Sequence, residues 1–249
     1  MESLLDILIF LIFGVFAGFC GGFFGIGGGT VIVPIMLNFG IDIKEAVGIS
    51  ILQMLFSSAF GSFVNFKNKN LKLNSGIYLG VGGFCGGLFS GFIVSAVPGE
   101  LLKYGLLIAL LIAIIKFFKT DVTSLDNEVA NWLLFVLGFV VGAFAISMGI
   151  GGALFLTPIL VGFLGVDIKK AVSMGLFFVM FSAISGFISL AYNGLINYQA
   201  GIILGVASLF GVYIGTNLSY KIDKNSQKKW LLGLYIAMFL LTLKEVILR

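Results

Sequence analysis

The glycines Gly25, Gly27, Gly28 and Gly29, and Gly149, Gly151 and Gly152, are the residues of this chain best placed for chemistry. Each group interrupts an apolar run: GIGGGTVIVPI at residues 25–35 and GIGGALFLTPI at residues 149–159. A glycine costs a helix interior about 1 kcal/mol relative to alanine, so a cluster of them ends one helix and lets another begin. The new helix opens with N–H groups that have no partner inside it. With the local dipole they form a ready seat for a small anion. Thr30 follows the first break closely, and Gly151 to Thr157 offers the same geometry in the second. The glycines also have a purely structural reading, close helix approach, because Gly14, Gly18 and Gly22 already have the spacing of a small-residue packing face. Two breaks at equivalent places favour the site.

The polar residues inside the apolar runs are neutral. They include Ser50, Gln53, Ser57, Ser58, Ser62, Asn65, Ser147, Thr157, Ser173, Ser182, Ser185 and Ser189, while carboxylates, lysines and arginines fall near the ends of the runs. Neutral donors beside half-helix N-termini suit an anion with several oxygens. Gln53, Ser57, Thr157 and Ser182 therefore join the candidate binding residues, although any one serine or threonine can equally bond within or between helices. Gln53 stands out because its bulky amide is hard to satisfy in an apolar span. Asp42 and Asp167 each follow a broken run and precede Lys-x-Ala-Val. They read either as acidic helix starts or as gating or coupling groups. The chain contains no histidine. It lacks a phosphate-loop Gly-Lys-Ser/Thr and a nucleophile–base pair, so neither an enzyme nor a metal or cofactor is expected.

Composition explains what must hold these residues. Apolar residues make up 59% of the 249 and charged residues 10%, and the mean hydropathy is +1.15. A soluble domain carries about 25% charge. Seven or eight stretches approach the ~20 apolar residues that cross a bilayer. The net charge of +4 does not indicate nucleic acid, because the basic residues sit at the ends of apolar runs. MESLLD is not the basic start of a signal peptide. Cys20 and Cys85 read as membrane-packed thiols.

The chain is also written twice. The glycine motifs match at an offset of 124, and Gly40–Val47 matches Gly165–Val172 at 125, a register that persists to Gly86/Gly211. Gln53 then corresponds to Phe178, so the expected site is asymmetric there. The expected fold is an all-α polytopic membrane protein with residues 1–119 as first repeat, 120–131 as polar linker and 132–249 as second repeat. Each repeat opens with a broken run (4–39, broken at Gly25–Gly29 and again at Pro34, and 132–164), followed by spans near 46–66, 74–97 and 101–119, and near 171–192, 199–220 and 229–247. A straight helix over 4–39 would measure about 54 Å against a hydrocarbon core of ~30 Å. If each broken run dips in and returns, eleven of the fifteen basic residues fall on one side, as the positive-inside rule requires. Three spans per repeat then give inverted repeats, both termini outside the cytoplasm and the two breaks meeting near the midplane.

Gly-Ile-Gly-Gly-Gly followed shortly by proline, in both halves of a polytopic chain of this length, resembles the sulfite exporter TauE/SafE family. The resemblance covers essentially the whole chain and includes Asp-x-Lys-x-Ala-Val at the next helix of each half. It implies a cell-membrane transporter of sulfur-containing anions such as sulfite, thiosulfate or small organosulfonates. Gly25, Gly27, Gly28, Gly29 and Pro34, with Gly149, Gly151, Gly152 and Pro158, carry the family pattern. Ala153, where the first repeat has Gly29, departs from it and implies a second break that is tighter or less exposed. The expected mechanism is alternating access, with a passive anion channel or a non-transporting scaffold as the other readings. The expected partners are a small anion and the bilayer. A homo-oligomer also fits, since glycine faces can pack within or between chains. Cysteines at positions 67 and 103 are expected to label from opposite faces of the membrane; labelling from one face would contradict the dipping topology.

Overall fold

The protein, a computed structural model, is described for residues 4–68, 73–119 and 129–248. Among these the regular structure is entirely helical, in eleven helices. The first half has α1 (Leu4–Phe24), α2 (Gly29–Asn38), α3 (Ile43–Lys67), α4 (Leu73–Gly87), α5 (Ser90–Ala96) and α6 (Gly99–Lys119). The second has α7 (Asn131–Ser147), α8 (Ala153–Gly162), α9 (Ile168–Tyr192), α10 (Tyr198–Ser219) and α11 (Lys224–Leu248). Most of the expected linker 120–131 lies outside the described residues. Seven stretches of the described residues are long and apolar enough to cross a membrane. Large apolar side chains face outward all round, among them Phe92, Phe118, Trp132 and Phe210. The surface solvent of such a bundle is lipid, not water.

Local chemistry sets the helix boundaries. Gly28 and Gly152 sit before α2 and α8 with φ of 89° and 72°, a left-handed conformation that costs an ordinary L-residue energy and glycine almost none. Asp42 and Asp167 cap α3 and α9, each carboxylate accepting the N–H two residues on, Lys44 at 2.8 Å and Lys169 at 2.9 Å. The capping matches the plainer of the two readings of these residues. Pro34 does not break the chain as the sequence suggested; α2 runs through it. Proline at the sixth helical position removes only the bond to the Thr30 carbonyl.

The span expected at 74–97 is instead interrupted between α4 and α5. Ser189 on α9 compensates: its hydroxyl donates to Leu88 O (2.6 Å) and accepts from Gly91 N–H (2.9 Å). Glu245 is the single charged residue among the described buried positions, at 7% exposure in the last turn of α11. It falls at the end of a span rather than at its centre.

The two halves pack by exchange. α1 lies along α10, and α7 lies along α4, so each first helix packs against the other half's matching helix. Close approach is built from small residues. A Cβ at Gly18 would fall 2.2 Å from Ser208 O, and one at Gly215 2.2 Å from Phe19 O. In the mirrored pair, a Cβ at Gly138 would fall 2.3 Å from Leu79 O and one at Gly86 2.0 Å from Phe139 O. Without a hydrophobic drive between helices in lipid, such backbone proximity supplies the packing. Gly18→Val is expected to lose the folded state in a detergent thermal-unfolding assay. Gly233→Ala, where an added Cβ meets nothing within 4 Å, is expected to keep or raise stability by up to about 1 kcal/mol through helix propensity.

Candidate functional site

The breaks are held by the long helices α3 and α9. Gly25 lies against α9, where its Cβ would come within 2.7 Å of Val172 Cα, and Gly149 lies against α3, 3.1 Å from Val47 Cα by the same measure. The two breaks touch directly. Thr30 Oγ1 donates to Ile150 O at 3.2 Å, and Ser50 Oγ on α3 donates to Gly149 O at 2.7 Å. Met54 Sδ sits between them, within contact reach of both Gly29 and Gly151.

Carbonyls freed by the breaks are taken up by hydroxyls. Besides Ser50 and Thr30, Ser57 Oγ donates to Gly27 O at 2.7 Å. These hydroxyl protons are therefore committed to the protein's own backbone. The second repeat solves the same problem differently: Gly151 O accepts the Ala153 N–H at 2.9 Å. Ser182, the counterpart of Ser57, bonds instead to Phe178 O (3.0 Å) on its own helix. The first N–H of α8 is thus used internally, whereas Gly27 O, the equivalent acceptor in the first repeat, takes a serine hydroxyl. That difference leaves the Gly29 N–H at the start of α2 outside such a bond.

Gln53 and Phe178 occupy matching places over the two helix starts. A Cβ on Gly28 would meet Gln53 Nε2 and Oε1 at 2.9 Å each, and one on Gly152 would meet Phe178 Cε1 at 2.5 Å. Gln53 is fully buried. Neither polar atom of its amide has a hydrogen-bond partner within the protein, an arrangement that costs about 1–3 kcal/mol per group unless something else occupies it. Size compensation accompanies the asymmetry. Gly29 faces Ser50, while Ala153 faces Gly175, so the methyl and the hydroxyl group exchange sides. This accounts for Ala153, the departure noted in the sequence.

Gly25–Thr30, Gly149–Gly152, Gln53 and Ser57 therefore come together. Thr157 is buried on α8 with its hydroxyl unpartnered, one turn beyond the break. Ser182 bonds within its own helix, and Asp42 and Asp167 lie at helix starts. Asp167 also pairs with Lys224. Burial would raise its carboxyl, but Lys224 and the N–H groups of Lys169 and Lys170 outweigh that and hold it below the usual value of 3.8. Two matching clamps lie nearby: Lys44 Nζ donates to Ser95 O (3.2 Å) and Lys169 Nζ to Tyr220 O (2.8 Å). Ser50 and Met54 were not among the sequence candidates. Their i, i+4 spacing, with Ser57 and Ser58 one turn on, was the available signal.

The family model described as Sulfite exporter TauE/SafE matches residues 10–242. The chain is 28% identical to "Probable membrane transporter protein YdhB" of Bacillus subtilis, over 88% of this chain and 92% of that one. It is 29% identical to a "Probable membrane transporter protein" of Methanocaldococcus jannaschii, over 89% and 90% of the two chains. A protein of the same description from Haemophilus influenzae is 29% identical over 94% and 98%. No solved structure matches the chain.

Proposed function

The chain belongs to the sulfite exporter TauE/SafE family of membrane transporters, and from that membership we propose that it carries a small sulfur-containing oxyanion by alternating access at the paired glycine breaks. The observation that carries the site is Gln53: a fully buried amide without an internal partner, set against Gly28 at the start of α2. In this reading Gln53 Nε2, beside Gly28, and the first N–H groups of α2 are the donors that meet the anion. A backbone site of this kind binds anionic oxygens without a cation. Sulfite, thiosulfate and small organosulfonates each carry three such oxygens on one sulfur.

An inverted arrangement of the repeats is part of the proposal. Its support is directional. Gly61 packs on Leu176, while Met54 and Val179 both flank Gly151, so residue numbers fall along α3 as they rise along α9. The C-terminal end of α2 meets that of α11 through Asn38 Nδ2 and Leu241 O at 2.9 Å. In the same way Lys116 near the end of α6 lies 4.5 Å from the ring of Phe163, just beyond α8. Exchange between equivalent helices is what a pseudo-twofold axis in the membrane plane would produce. Both termini then lie outside the cytoplasm of the cell membrane. Asp42 and Asp167, at the mouths, are proposed to gate by releasing or remaking the clamps at Ser95 and Tyr220.

The test is flux in liposomes holding the purified protein, with sulfite, thiosulfate, sulfate and a small sulfonate in parallel. Saturable uptake of one sulfur anion, inhibited by its relatives, is expected. Flux that rises linearly with concentration would indicate a channel. No movement of any of the four, with the protein folded, would overturn the cargo.

A further inference from the structure

A second group of unpartnered polar atoms lies away from the breaks. Ser62 and Asn65 on α3, Ser173 on α9, Thr216 on α10 and Gln227 on α11 are each at most 4% exposed. Each has a side-chain polar atom without a partner in the protein, and for Asn65 both amide atoms are in that position. Tyr220 Oη, at the end of α10, lies within interaction reach of Ser173 Oγ.

Helix register brings these residues together. α3 and α10 run side by side, with Phe56 against Gly205, Gly61 against Val212 and Asn68 bonded to Asn217 at 3.1 Å. Asn65 therefore lies level with Thr216. Thr216 Oγ1 would be 2.8 Å from a Cβ at Gly22 of α1. Gln227 Nε2 binds Phe23 O (2.9 Å) and Ser219 Oγ (2.8 Å), leaving its Oε1 open. Leu176 packs on Gly61, and Ser173 is one turn further toward the α10–α11 turn. The cluster is thus enclosed by α1, α3, α9, α10 and α11, between the first break and that turn.

The repeat supplies an internal control. At the same offset of 125, Asn65 becomes Leu190, Ser62 becomes Phe187, Ser173 becomes Gly48, Thr216 becomes Gly91 and Gln227 becomes Leu102. The matching helices of the other half are built without these polar groups, so the fold itself does not require them. Ser189, the polar residue adjoining Leu190, is closed between Leu88 O and Gly91 N–H. The rim of the polar cluster carries Lys169, Lys221 and Lys224. Asp167 and Asp223 lie beside them: Lys224 pairs with Asp167, Lys169 Nζ donates to Tyr220 O and Asp223 accepts the Ser226 N–H, which leaves one net positive charge on this rim.

We propose that this cluster is a second oxyanion site, an antechamber between the α10–α11 turn and the breaks, with Asn65, Ser173, Thr216 and Tyr220 as its donors. It goes beyond the paired-break site and requires an anion path, but not a sulfur cargo. Hydroxyl and amide donors behind a lysine rim favour small anions over cations, whereas the apolar counterpart region admits neither.

The test uses full-length protein with Cys20→Ala and Cys85→Ala, reconstituted in liposomes, carrying Asn65→Cys, Thr216→Cys or Leu190→Cys. The probes are a sulfonatoethyl methanethiosulfonate and its trimethylammonium analogue. Cysteines at 65 and 216 are expected to react about tenfold faster with the sulfonate than with the cation, the scale of local electrostatic steering, and from one membrane face. Leu190→Cys is expected to stay unreactive. Thr216→Cys is nearly isosteric and covers the case in which Asn65→Cys fails to fold. Reactivity at 65 and 216 no greater than at 190, or without preference for the sulfonate, would overturn the antechamber. Labelling needs no transport, so failure of the sulfur-anion reading leaves this result interpretable.

Discussion

A carbonyl or N–H released from a helix inside lipid has no water to turn to, and leaving it bare costs several kcal/mol. Both glycine breaks release such groups at the centre of this bundle, and the surrounding sequence answers them one by one. Thr30 serves Ile150 O, Ser50 serves Gly149 O and Ser57 serves Gly27 O, while Gly151 O is served by Ala153 N–H. The same rule governs the gap between α4 and α5, where Ser189 serves Leu88 O. Serines and threonines that look like ligand donors in the sequence are, in the fold, largely the means by which broken helices survive in a membrane.

Against that background the unanswered groups gain meaning. The two halves solve the same packing problem with exchanged parts: Gly29 with Ser50 in one, Ala153 with Gly175 in the other. Over the two helix starts they differ in kind, with Gln53 against Gly28 where Phe178 lies against Gly152. Phenylalanine over Gly152 shows that an apolar side chain fills such a place. An amide there, fully buried and unpartnered, is the costlier choice unless a ligand uses it. In the proposed alternating access, near-symmetric halves would supply the two arrangements of similar energy that the mechanism requires, and the amide would set which helix start the anion meets.

The repeat, the broken runs and the helical class were legible because a glycine cluster within an apolar run leaves few alternatives in lipid. Gln53 was legible as an odd residue for the same reason. The fate of Thr30, Ser57 and Ser182 was not. A hydroxyl on a helix can serve its own backbone or a neighbour's, and only three-dimensional proximity decides. Pro34 misled because a proline near the start of a helix removes one bond and need not end it. The interruption after Gly87 went unseen because its compensating residue, Ser189, lies about a hundred positions away.

The most direct test of the central claim is sulfite uptake by the Gln53→Phe variant in liposomes, with its thermal unfolding followed alongside. Phenylalanine already fits over the equivalent glycine in the second half, so the variant is expected to fold and melt close to the parent while saturable uptake is lost. Uptake at the parent's rate and saturation would contradict the assignment of Gln53 as the residue that receives the anion.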